Sequence, residues 1–163
     1  MAKSAKKKAD GGKSNGGAVA TNRRAFFDYE ILDRREAGLV LTGTEIKSAR
    51  AGKVDLREAY ARPLNGELWL MNVHIATYDP ANIYNHEPKR SRKLLLHKDE
   101  ITHLAAEVAE KRLTIIPLRM YIKNHVAKVE IAVARGKRQY DKRRAIMDKE
   151  MDLAARRALR SEE

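Results

Sequence analysis

The chemistry of this chain rests on lysine and arginine, set in runs with aromatic residues close by. Lys89, Arg90, Arg92 and Lys93 fall within five positions, after Tyr78 and Tyr84. Phe26, Phe27 and Tyr29 follow Arg23 and Arg24, and Tyr140 lies inside "RGKRQYDKRR". Cations neutralise phosphate and aromatic rings stack on unpaired bases, so this pairing points to a polyanion, with nucleic acid first and an anionic membrane surface second. Catalysis finds less support. His74, His86, His97, His103 and His125 contain no HExxH motif, and the absence of cysteine removes disulfides, thiolate nucleophiles and Cys-ligated zinc. Ser48 has no triad context, and Gly11-Gly12 follows no strand and so makes no phosphate loop. Asp28, Glu30 and Asp33 come nearest to the clustered carboxylates of a metal nuclease, but read as strand-face and turn residues. No enzyme activity, metal or cofactor is expected.

The elements that must position these residues are bounded by length and charge. With 163 residues, 43% of them hydrophobic, the chain suits one core plus tails. The net charge of +12 and pI near 10.0 would repel in any compact state unless a polyanion compensates. Seven Lys or Arg against one Asp give residues 1–24 a net +6, and ten against six acids give residues 135–163 a net +4, leaving +2 for the middle. A near-neutral middle can pack while charged ends reach outward. No apolar run approaches membrane-spanning length, and the Lys-rich start leads into Gly, Asn and Ser rather than an apolar signal core, so a soluble, cytoplasmic protein without membrane contact is expected.

"ADGGKSNGGAVATN" lacks apolar periodicity, so residues 1–22 read as a disordered basic arm. Tyr29, Ile31 and Leu32 suggest a strand, with Leu39 to Leu41 as a second across a turn at Gly38. Residues 43–52 read as a short helix with Thr44 as N-cap, Ile46 and Ala49 inward and Gly52 as its stop. Asn65-Gly66 fits a two-residue hairpin turn that needs positive φ at both positions. After it Trp69, Met71, Val73 and Ile75 share one strand face and Leu68 and Leu70 the other, giving a strand buried on both sides. Residues 78–93 form a long basic loop. Ile101, Leu104, Ala105 and Val108 make the stripe of an amphipathic helix, with Asp99 and Glu100 suited to its first turn. Two alternating strands follow, Ile116/Leu118/Met120/Ile122 and Ala127/Val129/Ile131/Val133, joined at "KNH". About six antiparallel strands with two or three helices predict a mainly β protein, a small closed barrel spanning residues 23–135 without an exposed edge.

The basic tail, residues 136–163, has only a thin apolar stripe of Met147, Met151, Ala154, Ala155, Ala158 and Leu159. So little packing area predicts a segment that is unfolded alone and helical only when a polyanion neutralises one face.

Four segments in order, "NRRAFFDYEILDRREAGLVLTGTEIKSARAG", "PKRSRKLLLHKDEI", "LTIIPLRMYIKN" and "ARGKRQYDKR", together resemble the SmpB family of SsrA-binding proteins from about Asn22 to Arg144. The resemblance implies an OB-like barrel that binds the tRNA-like domain of transfer-messenger RNA at its elbow and stands in for the missing anticodon arm. It implies delivery of that RNA to stalled ribosomes for trans-translation, with EF-Tu and alanyl-tRNA synthetase engaged through the RNA. It further implies a tail that reads the empty mRNA channel and decoding centre of the small subunit, folding on its rRNA. A monomer is expected.

Carried onto this sequence, the resemblance places Glu36, Leu95 and His97 in RNA-binding regions, with Asn22, Arg24, Lys47, Arg50, Arg92 and Lys93 near that surface and expected mainly on phosphate. Glu36 is anionic and so would accept from a base or ribose or orient an Arg. Leu95 reads as core unless a base packs on it. In the tail Gly136 would be a hinge, Lys137, Arg138, Lys142 and Arg143 phosphate contacts, Tyr140 a stacking ring and Asp141 a local geometric anchor. The chain departs from the family at Tyr140, where relatives carry His, at His97, where some carry Asn, and near Met151, where a Trp is missing. A ribosomal or ribosome-assembly protein that sits permanently on rRNA is the rival reading.

Overall fold

A computed structural model describes residues 17–161. Its elements run β1 (Ala18–Thr21), α1 (Arg23–Asp28), β2 (Tyr29–Leu39), α2 (Gly43–Arg50), β3 (Val54–Asp55), β4 (Tyr60–Leu64), β5 (Glu67–Met71) and β6 (His74–Ile75). A 3-10 turn (Asp79–Tyr84), β7 (Arg92–Leu95), α3 (Lys98–Lys111), β8 (Thr114–Lys123), β9 (Val126–Gly136) and α4 (Gln139–Ser161) follow. Strands β8-β4-β5-β7-β2-β9 are hydrogen-bonded in that order and β9 returns to β8, closing a ring of six antiparallel strands, with β1 added on β8. Closure leaves the ring without the unpaired edges that would recruit other chains.

Leu68, Leu70, Leu94, Leu104, Met120 and Val129 fill the ring, each with at most 1% of its surface exposed. Leu104 alone stabilises by about 1.5–3 kcal/mol through burial, which is what seats α3 on the sheet. At the hairpin Asn65 and Gly66 both have positive φ, 51° and 75°, as the turn requires. Ala127, Val129, Ile131 and Val133 point into the ring together.

The structure departs from the expected alternation where the sheet bulges. A register shift between Pro117 and Arg119 turns Ile116 and Leu118 away from Met120, into a second small core with Ala25, Ala132 and Ala134 beneath α1. Pro117 cannot donate to the ladder, so a bulge at this point costs little pairing. Likewise positive φ at Asn72 (59°) breaks β5, so Trp69 and Met71 stay half-exposed while Val73 and Ile75 are buried. The strand is covered on one face only.

Other boundaries also move. Tyr29 to Leu39 is one strand rather than two, with Gly38 inside it, where an added Cβ would lie 3.2 Å from the Leu95 Cβ. Thr42, not Thr44, caps α2, donating its N–H to Glu45 Oε2 at 2.8 Å. Residues 92–95 are a strand that the unbroken "LLL" concealed. The arm expected over 1–22 includes β1, whose Val19 and Ala20 pack on the core; residues 1–16 lie outside the described residues. The tail, expected to be unfolded without a partner, is a helix from Gln139 to Ser161, in keeping with its many good helix formers. Its Met147 and Met151 are nonetheless 61% and 68% exposed, so the stripe covers nothing.

Candidate nucleic-acid interface

Strands β2, β9 and β8 turn a polar strip outward. Glu36 stands opposite Glu130, and Tyr121 opposite Lys128. The Glu36 carboxylate accepts from Lys128 Nζ at 2.6 Å and from the Tyr121 hydroxyl. Lys128, then Tyr121, hold its carboxyl below the usual range, while burial and the Glu36 carboxylate push the Tyr121 phenol up. Arg119 reaches Glu130 Oε2 at 2.5 Å and lies 5.6 Å from the Tyr121 ring centroid. Glu36 is therefore an exposed anion fixed by two donors, able to accept from a base or ribose or to present Lys128.

The strip continues across β2 into β7. Gly38 pairs with Leu95, and Leu95 is 51% exposed, so it belongs to the outer face while Leu94 takes the core. Lys93, on the same strand, is half-exposed and bonds Glu67 at 2.5 Å. His97 is exposed and begins α3, its N–H donating to Glu100 Oε2 at 3.2 Å. Lys47 and Arg50 are exposed on α2, with Lys47 5.3 Å from the Tyr78 ring centroid.

Two expected phosphate contacts are instead structural. Arg92 has no exposed surface; Nε donates to Glu45 Oε1 at 2.8 Å, Nη1 to the carbonyls of Val73 (2.8 Å) and Arg90 (2.9 Å), and Nη2 to that of Pro88 (3.0 Å). A guanidinium so enclosed cannot meet phosphate. Glu45, unremarked in the sequence, is equally enclosed and also takes Arg90 at 2.7 and 2.5 Å. Burial opposes its charge, but the bonds from Arg90, the Thr42 N–H and Arg92 win and hold its carboxyl at about 2. The second is Asn22, which is 3% exposed. Its Nδ2 donates to the carbonyls of Leu56 (3.1 Å) and Pro117 (3.2 Å), and its Oδ1 caps α1 at Ala25 N (3.2 Å).

Arg24 stays exposed on α1, pairing with Asp28 at 3.0 Å, and lines an open groove of about 440 Å³ with Arg57, His74 and Lys89. There Asp55, bound first of all by the Arg57 side chain, has its carboxyl lowered to about 2. His86 bridges Thr44 Oγ1 (2.8 Å) and the Ile75 carbonyl (3.0 Å); the carbonyl can only accept, so Nε2 carries the proton. The Ser48 hydroxyl is buried without a hydrogen-bond partner among the described residues. Among the described residues no group of three or more His, Cys, Asp or Glu could hold a metal ion.

At the tail's base, Gly136 closes β9. The Lys137 N–H donates to the Asp28 carbonyl at 2.9 Å, its Nζ to the Phe26 carbonyl at 3.1 Å, and Lys142 Nζ meets Asp28 Oδ1 at 3.0 Å. Arg138, Tyr140, Asp141 and Arg143 are exposed, Tyr140 by 73%. The signal that could have separated Asp28 from ordinary acids is only its place beside two aromatics and ahead of a strand.

A closed antiparallel ring with exposed cations on its outer face and an exposed basic helix at its end has the makeup of a polyanion-binding protein. The family profile described as SmpB protein matches residues 19–161, and the chain belongs to the SmpB family. It is 54% identical over 144 residues to the SsrA-binding protein of Ligilactobacillus salivarius, covering 88% of this chain and 93% of that one. It is 50% identical over 143 residues to the SsrA-binding protein of Carboxydothermus hydrogenoformans, covering 88% and 96%. A chain of a solved structure described as "tmRNA-SmpB: a journey to the center of the bacterial ribosome" matches at TM-score 0.64 and 48% identity, covering 78% of this chain and 93% of that one.

Proposed function

We propose that this protein binds the tRNA-like domain of transfer-messenger RNA, the SsrA RNA, and carries it to stalled ribosomes for trans-translation. The observation that carries the reading is the match, at 50–54% identity over 88% of the chain, to proteins named for binding SsrA. The outer strip from Glu36 through Leu95 to His97, with Lys93, Lys47 and Arg50 nearby, is the RNA face of this reading. Arg92 braces β7 beneath it through Glu45, and Asn22 fixes the start of α1. The cationic tail from Gly136 onward, with Lys137, Arg138, Tyr140, Asp141, Lys142 and Arg143 at its base, is the part that enters the empty mRNA channel and meets small-subunit rRNA at the decoding centre. EF-Tu and alanyl-tRNA synthetase act through the same RNA. The protein works as a monomer in the cytoplasm, by binding and without a reaction of its own. Among the described residues no helix is long and apolar enough to cross a membrane.

The test is recovery of the tagged protein from growing cells and sequencing of the RNA that comes with it. One abundant species with a tRNA-like end is expected, rising in ribosome fractions when messages lack stop codons. Equal association with every ribosome, and no such RNA, would establish a resident rRNA-binding protein instead.

A further inference from the structure

The outer face of the ring does not end at Leu95. In the ladder, Trp69 of β5 has Arg62 of β4 on one side and Lys93 of β7 on the other. Residues paired directly across antiparallel strands point to the same side of the sheet. Here that is the outside, because the neighbouring Leu68 and Leu70 fill the ring. Trp69 thus shows part of its indole to solvent between two cations. With Arg62, Leu64, Met71 and Ser91 it lines an open, largely apolar hollow of about 260 Å³, and Leu64 is 50% exposed at its rim. Lys93 is steadied by Glu67 at 2.5 Å, which holds its ammonium on this face.

We infer that this hollow is a stacking site for one unpaired base of the bound RNA, with Trp69 as the platform and Arg62 and Lys93 on the flanking phosphates. The inference rests on the function proposed above and extends its RNA face across β7 to β5 and β4. Charge selects the occupant. An apolar protein segment would leave the Arg62 guanidinium facing an uncharged partner, whereas a nucleotide supplies a flat apolar ring for Trp69 and anionic oxygens for Arg62 and for Lys93, which would exchange Glu67 for phosphate. The cations lie on both sides of the indole, so the strand of RNA runs across the ladder with phosphate before and after the stacked base. Continuity argues the same way: Leu95, paired with Gly38, joins the hollow to the Glu36 strip with no intervening core residue.

Trp69 is the single tryptophan of the chain, so tryptophan emission, excited beyond the absorption of the six tyrosines, reports on this site alone. A transcript of the tRNA-like domain is titrated into the full-length protein while filter binding follows complex formation in the same samples. The expected result is quenched emission with the midpoint of binding, and reduced access of acrylamide to the indole in the complex. Trp69→Ala is expected to weaken binding about tenfold, within the range of a lost base stack. Trp69→Phe should stay within about threefold, since a smaller ring still stacks. The slope of affinity against salt should be unchanged in Trp69→Ala and fall by about one contact in Arg62→Ala. A sheet that merely needed Trp69 for folding would not separate these two slopes. RNA that binds while emission and acrylamide access stay constant overturns the stacking site and leaves the function standing. Emission that responds only to ribosomes, or only to rising protein concentration, assigns the hollow to the ribosome or to a second copy and overturns it too. Failure of the transcript to bind at all removes the proposed function and this site with it.

Discussion

The ring and the tail use cations in opposite ways. Arg92 is wholly enclosed and spends its donors on Glu45 and three carbonyls, tying β7 to α2 and to the loop before it. In α4, by contrast, Arg143, Arg144, Arg156 and Arg157 are exposed, and Lys142 is the one residue from Gln139 to Arg160 that is partly covered. Buried charge fixes a shape, and exposed charge waits for a partner. The same residue types serve both ends, so the count of 34 Lys and Arg overstates the cations free to meet RNA.

Cutting the chain tests the contrast most severely. Removal of residues 137–163 is expected to abolish tagging of stalled peptides in a reconstituted translation assay. The urea midpoint of the remaining ring and its affinity for the tRNA-like domain should stay within about twofold. A collapse of RNA affinity would show that the two regions share one ligand rather than dividing the work.

Next in size is the enclosed pair. Glu45→Ala leaves Arg92 charged and unpaired in the interior, and is expected to destabilise by about 3–5 kcal/mol in urea titration. Replacement of the pair by apolar residues of like volume should cost much less, because neither charge is then stranded. The pH dependence carries a definite sign. The Glu45 carboxyl is held at about 2 in the fold against an ordinary 4.5, so its contribution is complete above about 4.5 and disappears as pH falls through about 2. Glu45→Gln should flatten acid denaturation over that window. If the slope persists, other carboxylates dominate it.

A smaller effect is expected at the rim of the strip. Glu36→Arg removes the acceptor of Tyr121 and sets a cation beside Lys128, and should weaken transfer-messenger RNA binding by about 1–3 kcal/mol while ribosome affinity holds. The measurement is a pair of titrations, one with RNA and one with empty ribosomes. Equal losses in both would join what the tail and the strip are argued to keep apart.

These outcomes bear on what the sequence could reveal. The Asn65-Gly66 hairpin, the α3 stripe and the alternation of β9 were legible because each is a local pattern tied to one backbone geometry. Glu36 was singled out only by a resemblance carried by whole motifs, and the structure exposes it on the outer strip. The role of Arg92 was hidden because side-chain type does not encode burial, and its partner lies 47 residues away. Leu95 was misjudged because three leucines in a row have no period to tell inside from outside, and only pairing with Gly38 decides it. The flip of Ile116 and Leu118 depends on a bulge, which one proline hints at but does not locate.

The smallest effect lies where ring and tail meet. Asp28 takes Lys142 at 3.0 Å and Arg24 at 3.0 Å, and Lys142 above all holds its carboxyl below the usual range. Such a pair near the surface contributes about 0–1 kcal/mol, too little to decide whether the tail is helical. It can decide where the helix points, because the backbone bond from Lys137 to the Asp28 carbonyl fixes only the base. Asp28→Asn keeps that bond and weakens the other. It should leave circular dichroism and the urea midpoint nearly unchanged while broadening the distance distribution between spin labels on α4 and on β2. Half-molar salt should broaden the parent protein in the same way, since screening acts on the same ion pair. Phosphate offered by rRNA would compete for Lys142 by the same route, turning a weak latch into a swing of the helix toward its partner. If Asp28→Asn instead melts α4, the latch holds the helix together rather than aiming it, and the division between a rigid ring and a separate tail is lost.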